Sequence, residues 1–323
     1  MKGYEELFSY FETNLKKQAF DNEPNELYAP IQYTLALGGK RIRPVLTLMA
    51  CELFGGQIEK ALPQAIAIEL FHNFTLIHDD IMDNAPLRRG KETVFKKWNN
   101  NIAILSGDTL FALAYQYVQQ ADTDILPVTL SVFNKTAIEV CEGQQFDLNF
   151  ETKNDLSVVQ YTEMIKLKTA VLFGASLKIG ALIGGANRED AENLYNFGLN
   201  IGLGFQLKDD LLDTFGDEKI FGKKTGVDII SNKKTFLYLK ALEIADGETR
   251  KKLIDFYNNN ANQEEKFKEV KAIFTRLKVD QLALEKIDEY CNTGKESLSK
   301  INLDTDKKER LLAIAHRMID REK

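Results

Sequence analysis

The run PQAIAIELFHNFTLIHDDIMD, residues 63–83, decides how this chain is read. Pro63 suits the first turn of a helix, where its missing amide would have had no intrahelical acceptor. Nothing between it and Asp83 breaks a helix. Asp79, Asp80 and Asp83 stand at i, i+1 and i+4, so they leave a helix within about 100° of arc. The turns before them hold Phe71, Phe74, Leu76 and Ile77, which predict a buried face. Carboxylates crowded beside apolar surface repel one another unless a cation intervenes.

A second run, GFQLKDDLLD at 204–213, repeats the pattern: Asp209, Asp210 and Asp213 follow Ile201, Leu203, Phe205 and Leu207. A lone DDxxD more often marks a solvated acidic face, whereas two on apolar helices ask for shared cations. Oxygen-only donors select a hard cation. Magnesium takes one or two carboxylates together with waters and substrate phosphates. The pair reads as a clamp for a magnesium-bound diphosphate, without naming a reaction.

The rest of the chain agrees with a helical fold. Prolines stand at 24, 30, 44, 63, 86 and 127 and nowhere later, and proline is the residue that long helices exclude. Apolar residues recur at spacings of three and four, and strand-like alternation is scarce. Ser157 with Gln160 has capping-box spacing, and Asn187 ahead of Glu189 and Asp190 marks another start. The pattern predicts helices over 4–19, 25–37, 42–54, 63–83, 101–120, 125–149, 157–184, 188–215, 233–245, 248–258, 264–275, 278–298 and 306–321. No linker or repeat divides them. One all-α domain over residues 1–323, a bundle of about 10–13 helices, is expected. The glycines crowded between 174 and 204 predict close helix packing, which offsets their cost of about 1 kcal/mol each in a helix interior.

With 44% hydrophobic residues over 323 positions the chain can bury a large core, and its net charge of −6 provides no field for nucleic acid. Cys51, Cys141 and Cys291 share no metal or redox spacing and read as free thiols of a reducing compartment. The amino-terminal MKGYEELFSYFETNLKKQ carries acids and amphipathic spacing, unlike a signal peptide, and no apolar run reaches a spanning length of about 18. A soluble cytoplasmic protein is expected.

Three basic strings answer the acids: GGKRIRP at 38–44, LRRGK at 87–91 and GKKTGVDIISNKK at 222–234. Gly38 and Gly39 ahead of Lys40 open a break that can turn backbone donors toward an anion. Arg88 and Arg89 follow the first acidic trio closely enough to reach the same ligand, and guanidinium forks suit phosphate oxygens. Lys168 and Thr169 place a cation and a hydroxyl inside an otherwise apolar helix. His72 and His78, six residues apart, do not share a helix face, so a histidine metal pair is not expected.

In this order, GGKRIRP, the His72–Asp83 run, LRRG, LSGDTL (105–110), EGQQFDL (142–148), KLKTAVLF (166–173), GFQLKDDLLDTFGD (204–217) and the later lysines resemble the trans-isoprenyl diphosphate synthase family. The resemblance implies an isoprenoid synthase bundle around a deep central cavity, usually a homodimer, with the two acidic motifs facing each other at its mouth. It implies Asp79, Asp83 and Asp209 as principal magnesium ligands, supported directly or through water by Asp80, Asp210 and Asp213. Three magnesium ions would accompany the allylic diphosphate, with manganese able to substitute. Lys40, Arg43, His72 and Arg89 match the isopentenyl diphosphate pocket, and Arg88, Lys168 and Lys233 the allylic one. Thr169 and Gln206 would lie beside the developing cation. Lys223 also fits, in competition with Lys224.

The implied reaction is head-to-tail condensation of isopentenyl diphosphate with a dimethylallyl, geranyl or farnesyl starter. Cationic groups stabilise the leaving diphosphate, the allylic carbon ionises, and the isopentenyl double bond attacks, with water excluded. Phe74 and Thr75 stand five and four residues before Asp79, about 6–7.5 Å down the helix. An aromatic at that place resembles short-chain geranylgeranyl synthases and predicts a twenty-carbon product, with farnesyl or longer chains as alternatives. A terpene cyclase and a non-catalytic subunit of a synthase heteromer are the competing readings. The repeated DDxxD and the complete ligand set favour the synthase.

Overall fold

The computed structural model describes residues 2–153, 155–217, 225–258 and 262–319. Its helices are α1 (Tyr4–Leu15), α2 (Asn25–Ala36), α3 (Ile42–Leu53), α4 (Ile58–Met82), α5 (Val94–Lys97), α6 (Asn100–Val118), α7 (Leu126–Thr152), α8 (Val158–Ile165), α9 (Val171–Ile183) and α10 (Arg188–Phe215). They continue as α11 (Val227–Ile230), α12 (Phe236–Ile244), α13 (Gly247–Asn258), α14 (Gln263–Arg276), α15 (Val279–Ser299) and α16 (Thr305–Ile319). The chain divides into two compact units, Met1–Lys135 with Ala175–Tyr195, and Thr136–Gly174 with Asn196–Lys323.

Local chemistry explains the helix starts. Ser157 Oγ accepts from the Gln160 amide at 3.2 Å, and Gln160 Oε1 accepts from the Ser157 amide at 3.2 Å, closing the expected capping box of α8. Asn187 Oδ1 accepts from the Asp190 amide at 2.8 Å and caps α10. Pro63 does not start its helix. α4 begins at Ile58, because Ile58 and Ala61 are buried and draw an extra turn into the core. Pro63 then forgoes one backbone bond inside that helix.

Two features depart from the all-helical expectation. Leu87–Arg88 and Lys91–Glu92 form an antiparallel ribbon, with Arg89 and Gly90 both at positive φ, as a two-residue hairpin turn requires. The helix expected over 157–184 is interrupted at Lys166–Ala170 by a π-helical turn, a form that recurs at functional sites.

In the first unit, Leu7, Phe11, Val45, Leu48, Leu70, Phe71, Leu110 and Ala114 are fully buried. Each large side chain among them contributes about 1.5–3 kcal/mol. In the second, Tyr161, Leu203, Leu207, Phe236, Phe274 and Ile287 form the core. The glycine-rich stretch serves packing: a Cβ on Gly180 would strike Thr47 and Ala50, and one on Gly202 would strike Ala170 and Phe173.

Candidate active site

The first acidic trio occupies the carboxyl end of α4, with Asp83 as the C-cap. The helix dipole is negative there, so carboxylates are poorly placed without cations. Phe71 and Ile77 are buried as expected, and so is Asp80, which is 4% exposed. Asp79 is half-buried and Asp83 exposed. The hairpin returns Arg88 onto Asp80, whose oxygens accept from Nε at 2.9 and 3.0 Å and from Nη2 at 2.7 Å. Burial pushes the Asp80 carboxyl up, and the guanidinium opposes that shift. Arg88, expected at the allylic diphosphate, thus faces the motif itself.

The neighbouring Arg89 turns the other way and donates to the Gly38 carbonyl. Gly39 sits at φ +139°, where a Cβ would lie 2.7 Å from Arg89 Nη2, so this position demands glycine. Arg43 Nη1 donates to His72 Nε2 at 3.4 Å. Burial first, and then Arg43, Arg89, Arg88 and Arg41, push the His72 imidazole well below its usual range and keep it neutral. The Lys40 carbonyl accepts from the Tyr4 hydroxyl, and Lys40 itself is exposed. Lys40, Arg43, His72, Arg88 and Arg89 are therefore gathered in one unit around the 38–43 segment and the end of α4.

Arg41 lies in the same basic string but does a different job. It is buried, and its Nε donates to Glu12 at 2.7 Å, Nη1 to Glu69 at 2.5 Å and Nη2 to the Leu35 carbonyl at 2.6 Å. This fork ties α1, α4 and the end of α2 to the segment that carries Lys40 and Arg43. Phe74 packs against Phe71, Phe111 and His78 at ring separations of 5.6, 5.0 and 4.8 Å. Thr75 Oγ1 donates to the His72 carbonyl at 2.8 Å. An aromatic wall stands one turn below Asp79.

The second trio lies near the carboxyl end of α10, again at the negative end of a dipole. Asp210 is 3% exposed, while Asp209 and Asp213 are half-buried. Its partners are the Tyr161 hydroxyl and Gln206 Nε2, the latter at 3.1 Å. Burial first, then Asp228, push Asp210 up to about 8. Asp213 Oδ2 accepts from the Asp228 amide at 3.0 Å. Asp228 is half-buried, and desolvation pushes it up to about 6 although Lys233 opposes the shift.

The π turn presents Lys168 and Thr169 to this cluster. Gly143 allows it, since a Cβ there would run into the Lys168 backbone. Lys168 Nζ pairs with Asp147 at 2.6 Å, and Thr169 Oγ1 donates to Gln206 Oε1 at 3.1 Å. Despite burial, Lys233 and Lys168 hold Asp147 below the usual carboxylate range. Lys234 donates to the carbonyls of Phe150, Glu151 and Lys153 at 3.1, 2.9 and 2.6 Å, capping α7. Lys223 and Lys224 lie outside the described residues.

Sequence reasoning assigned no role to Asp147, Asp228 or Tyr161. Asp147 lies within EGQQFDL, which has no basic residue to mark it, whereas Asp228 lies within a lysine-rich string and was visible as an acid in basic company. Tyr161 had no signal, because only the fold brings it to Asp210. Among the described residues no three His, Cys, Asp or Glu side chains converge into a ready-made metal cage. The donor set fits magnesium delivered with phosphate oxygens: carboxylates only, clustered at helix carboxyl ends, with Asp210, Asp213 and Asp228 raised by burial first and by neighbouring acids second.

These features define a helical enzyme built to hold diphosphates between carboxylates and cationic side chains. The polyprenyl synthetase family profile matches residues 24–274. A geranylgeranyl diphosphate synthase of Methanosarcina mazei is 41% identical over 301 residues, 93% of this chain and 91% of that protein. A crystal structure of a geranylgeranyl pyrophosphate synthase superposes with a TM-score of 0.95 at 42% identity, covering 100% of both chains. A Caulobacter crescentus CB15 polyprenyl synthase, solved with calcium and isoprenyl diphosphate, matches with a TM-score of 0.89 at 28% identity over 99% and 97% of the chains. The chain belongs to the polyprenyl synthetase family and is a trans-prenyl diphosphate synthase, a prenyltransferase of isoprenoid biosynthesis.

Proposed function

We propose that this synthase makes geranylgeranyl diphosphate by adding isopentenyl diphosphate to dimethylallyl, geranyl and farnesyl starters. The observation that carries the reading is the Phe74 ring, wedged against Phe111 and Phe71 one turn before Asp79. A large flat side chain at that depth ends a channel that starts at the carboxylates. The M. mazei relative bears the same product in its name.

Asp79, Asp83 and Asp209 would hold magnesium, assisted by Asp80, Asp210 and Asp213; three ions are expected with the allylic diphosphate, and manganese would substitute. Bound magnesium supplies charge neutralisation of the leaving diphosphate. Lys40, Arg43, His72 and Arg89 bind isopentenyl diphosphate, the neutral His72 accepting from Arg43 so that the guanidinium keeps its aim. Lys168 and Lys233 hold the allylic diphosphate together with Arg88, and Lys223, in competition with Lys224, is the further candidate. Thr169 and Gln206 present oxygen to the allylic carbon. The departing diphosphate takes the proton, so no enzyme nucleophile is needed.

Residues 1–323 act as one domain, and the active form is a homodimer. Support for the dimer comes from exposed apolar side chains, Ile104 and Leu105 on α6 and Ile138 and Phe146 on α7. No helix among the described residues is long and apolar enough to cross a membrane, in keeping with a cytoplasmic enzyme.

Chromatography of products from purified protein given each starter with isopentenyl diphosphate tests the assignment. Geranylgeranyl diphosphate should dominate, and Phe74→Ala should shift the distribution to longer chains. A folded, active Phe74→Ala variant with unchanged products would remove Phe74 as the floor.

A further inference from the structure

The middle aspartate of the second motif is held from an unexpected side. Tyr161, on α8, is 1% exposed and donates its hydroxyl to Asp210 Oδ2. Gln206 Nε2 donates to the other oxygen at 3.1 Å, and Thr169 Oγ1 donates to Gln206 Oε1 at 3.1 Å. Every hydrogen in the chain from Thr169 through Gln206 points toward Asp210. That polarity has one chemical consequence. When Asp210 is ionised, as bound magnesium and diphosphate favour, the Gln206 amide turns its nitrogen to the carboxylate, its oxygen takes the threonine hydrogen, and the lone pairs of Thr169 Oγ1 face outward. A hydroxyl oxygen presenting lone pairs stabilises a positive carbon, whereas one presenting its hydrogen repels it.

We propose that Tyr161 is a positioning residue for the condensation: by fixing Asp210 it sets the orientation of Gln206, and through it the polarity of Thr169. The inference rests on the reading that Thr169 faces the allylic carbon. It gives Tyr161 no contact with substrate. Both Asp210 oxygens are engaged by protein donors, so its assistance to magnesium passes through water while it anchors Gln206.

The test is a kinetic cycle on the full-length protein with Tyr161→Phe, Thr169→Val and their combination. Tyr161→Phe should lower kcat about 10-fold and Thr169→Val about 10- to 100-fold, with KM for both diphosphates within about 2-fold of the parent. The double variant should be no slower than Thr169→Val alone, because Tyr161 has no hydroxyl left to orient. Manganese binding in the presence of inorganic diphosphate, followed by electron paramagnetic resonance, should stay within about 2-fold in Tyr161→Phe. Additive losses, an unchanged kcat in Tyr161→Phe, or a manganese affinity weakened about 10-fold would overturn the proposal. Full activity in Thr169→Val would instead remove the reading beneath it, and the proposal with it. Should Tyr161→Phe fail to fold, Tyr161→Met, which also lacks the hydroxyl, replaces it in the same cycle with the same expected non-additivity.

Discussion

The two aspartate motifs share a spelling and a place at the carboxyl end of a long helix, yet their buried middle members are treated differently. Asp80 receives a guanidinium, bonded through two nitrogens of Arg88 at 2.7–3.0 Å. Among the described residues Asp210 receives neutral donors, a phenol and an amide, and it lies near a second, half-buried acid, Asp228. Its carboxyl accordingly rises to about 8, while Lys233 supplies the opposing charge from a distance. One region carries its neutralising charge within the fold. The other leaves it to be brought by metal and substrate.

The difference extends to the cations around each motif. Near Asp80, burial keeps His72 neutral and the crowding of Arg43, Arg89 and Arg88 adds to it. Near Asp210, the lysines are spoken for by acids and carbonyls: Lys168 pairs with Asp147, and Lys234 caps α7. A surplus of positive charge suits a substrate that binds without metal. A surplus of carboxylate suits one that arrives with magnesium.

Removing the ligands should break both regions alike. Asp79→Ala and Asp209→Ala should each cut kcat by on the order of 10³-fold in a radiolabelled isopentenyl diphosphate assay, with unchanged circular dichroism. Retention of activity by either would end its part in the clamp. Stability separates the regions next. Arg88→Ala strands a nearly buried carboxylate and should cost about 3 kcal/mol in urea unfolding, whereas Tyr161→Phe should cost about 1 kcal/mol, since Gln206 remains and Asp210 can protonate. Equal losses would erase the distinction.

Acid and alkali should then act on opposite regions of the metal-free protein. His72 is a base with a lowered folded pKa, so its contribution is complete above about 6.5 and falls away as pH drops. Asp210 and Asp228 are acids with raised folded pKa values. Their contribution is complete below about 4 and is lost as pH rises through about 6 for Asp228 and about 8 for Asp210. Thermal unfolding in chelator should show His72→Gln reducing the loss below about pH 6.5 and Asp210→Asn reducing the loss between about pH 4 and 8. The smallest effect is local: Lys234→Met loses three carbonyl contacts at the end of α7 and should cost about 1 kcal/mol by thermal unfolding, with little change in KM.

Much of this was legible beforehand where short-range rules govern. The box at Ser157 and the cap at Asn187 depend on residues three apart, and both formed as read. The hairpin at 87–92 was not foreseen, since strands of two residues carry no periodicity. The π turn escaped notice because Lys166–Ala170 keeps helical spacing, and its extra residue is stabilised by the close approach at Gly143. Within GGKRIRP, Arg41 and Arg43 look equivalent. Burial sends one to Glu12 and Glu69 and the other toward His72.

What the sequence alone determined is the helical class, the two carboxylate trios and the demand for a hard cation, because a 100° helical step and carboxylate repulsion are local physics. The tertiary structure decided which partner each carboxylate meets. Arg88 reaches Asp80 only through a turn of the chain, and Tyr161 reaches Asp210 across 49 positions. Such pairings follow from how apolar faces pack, and packing is a property of the whole fold.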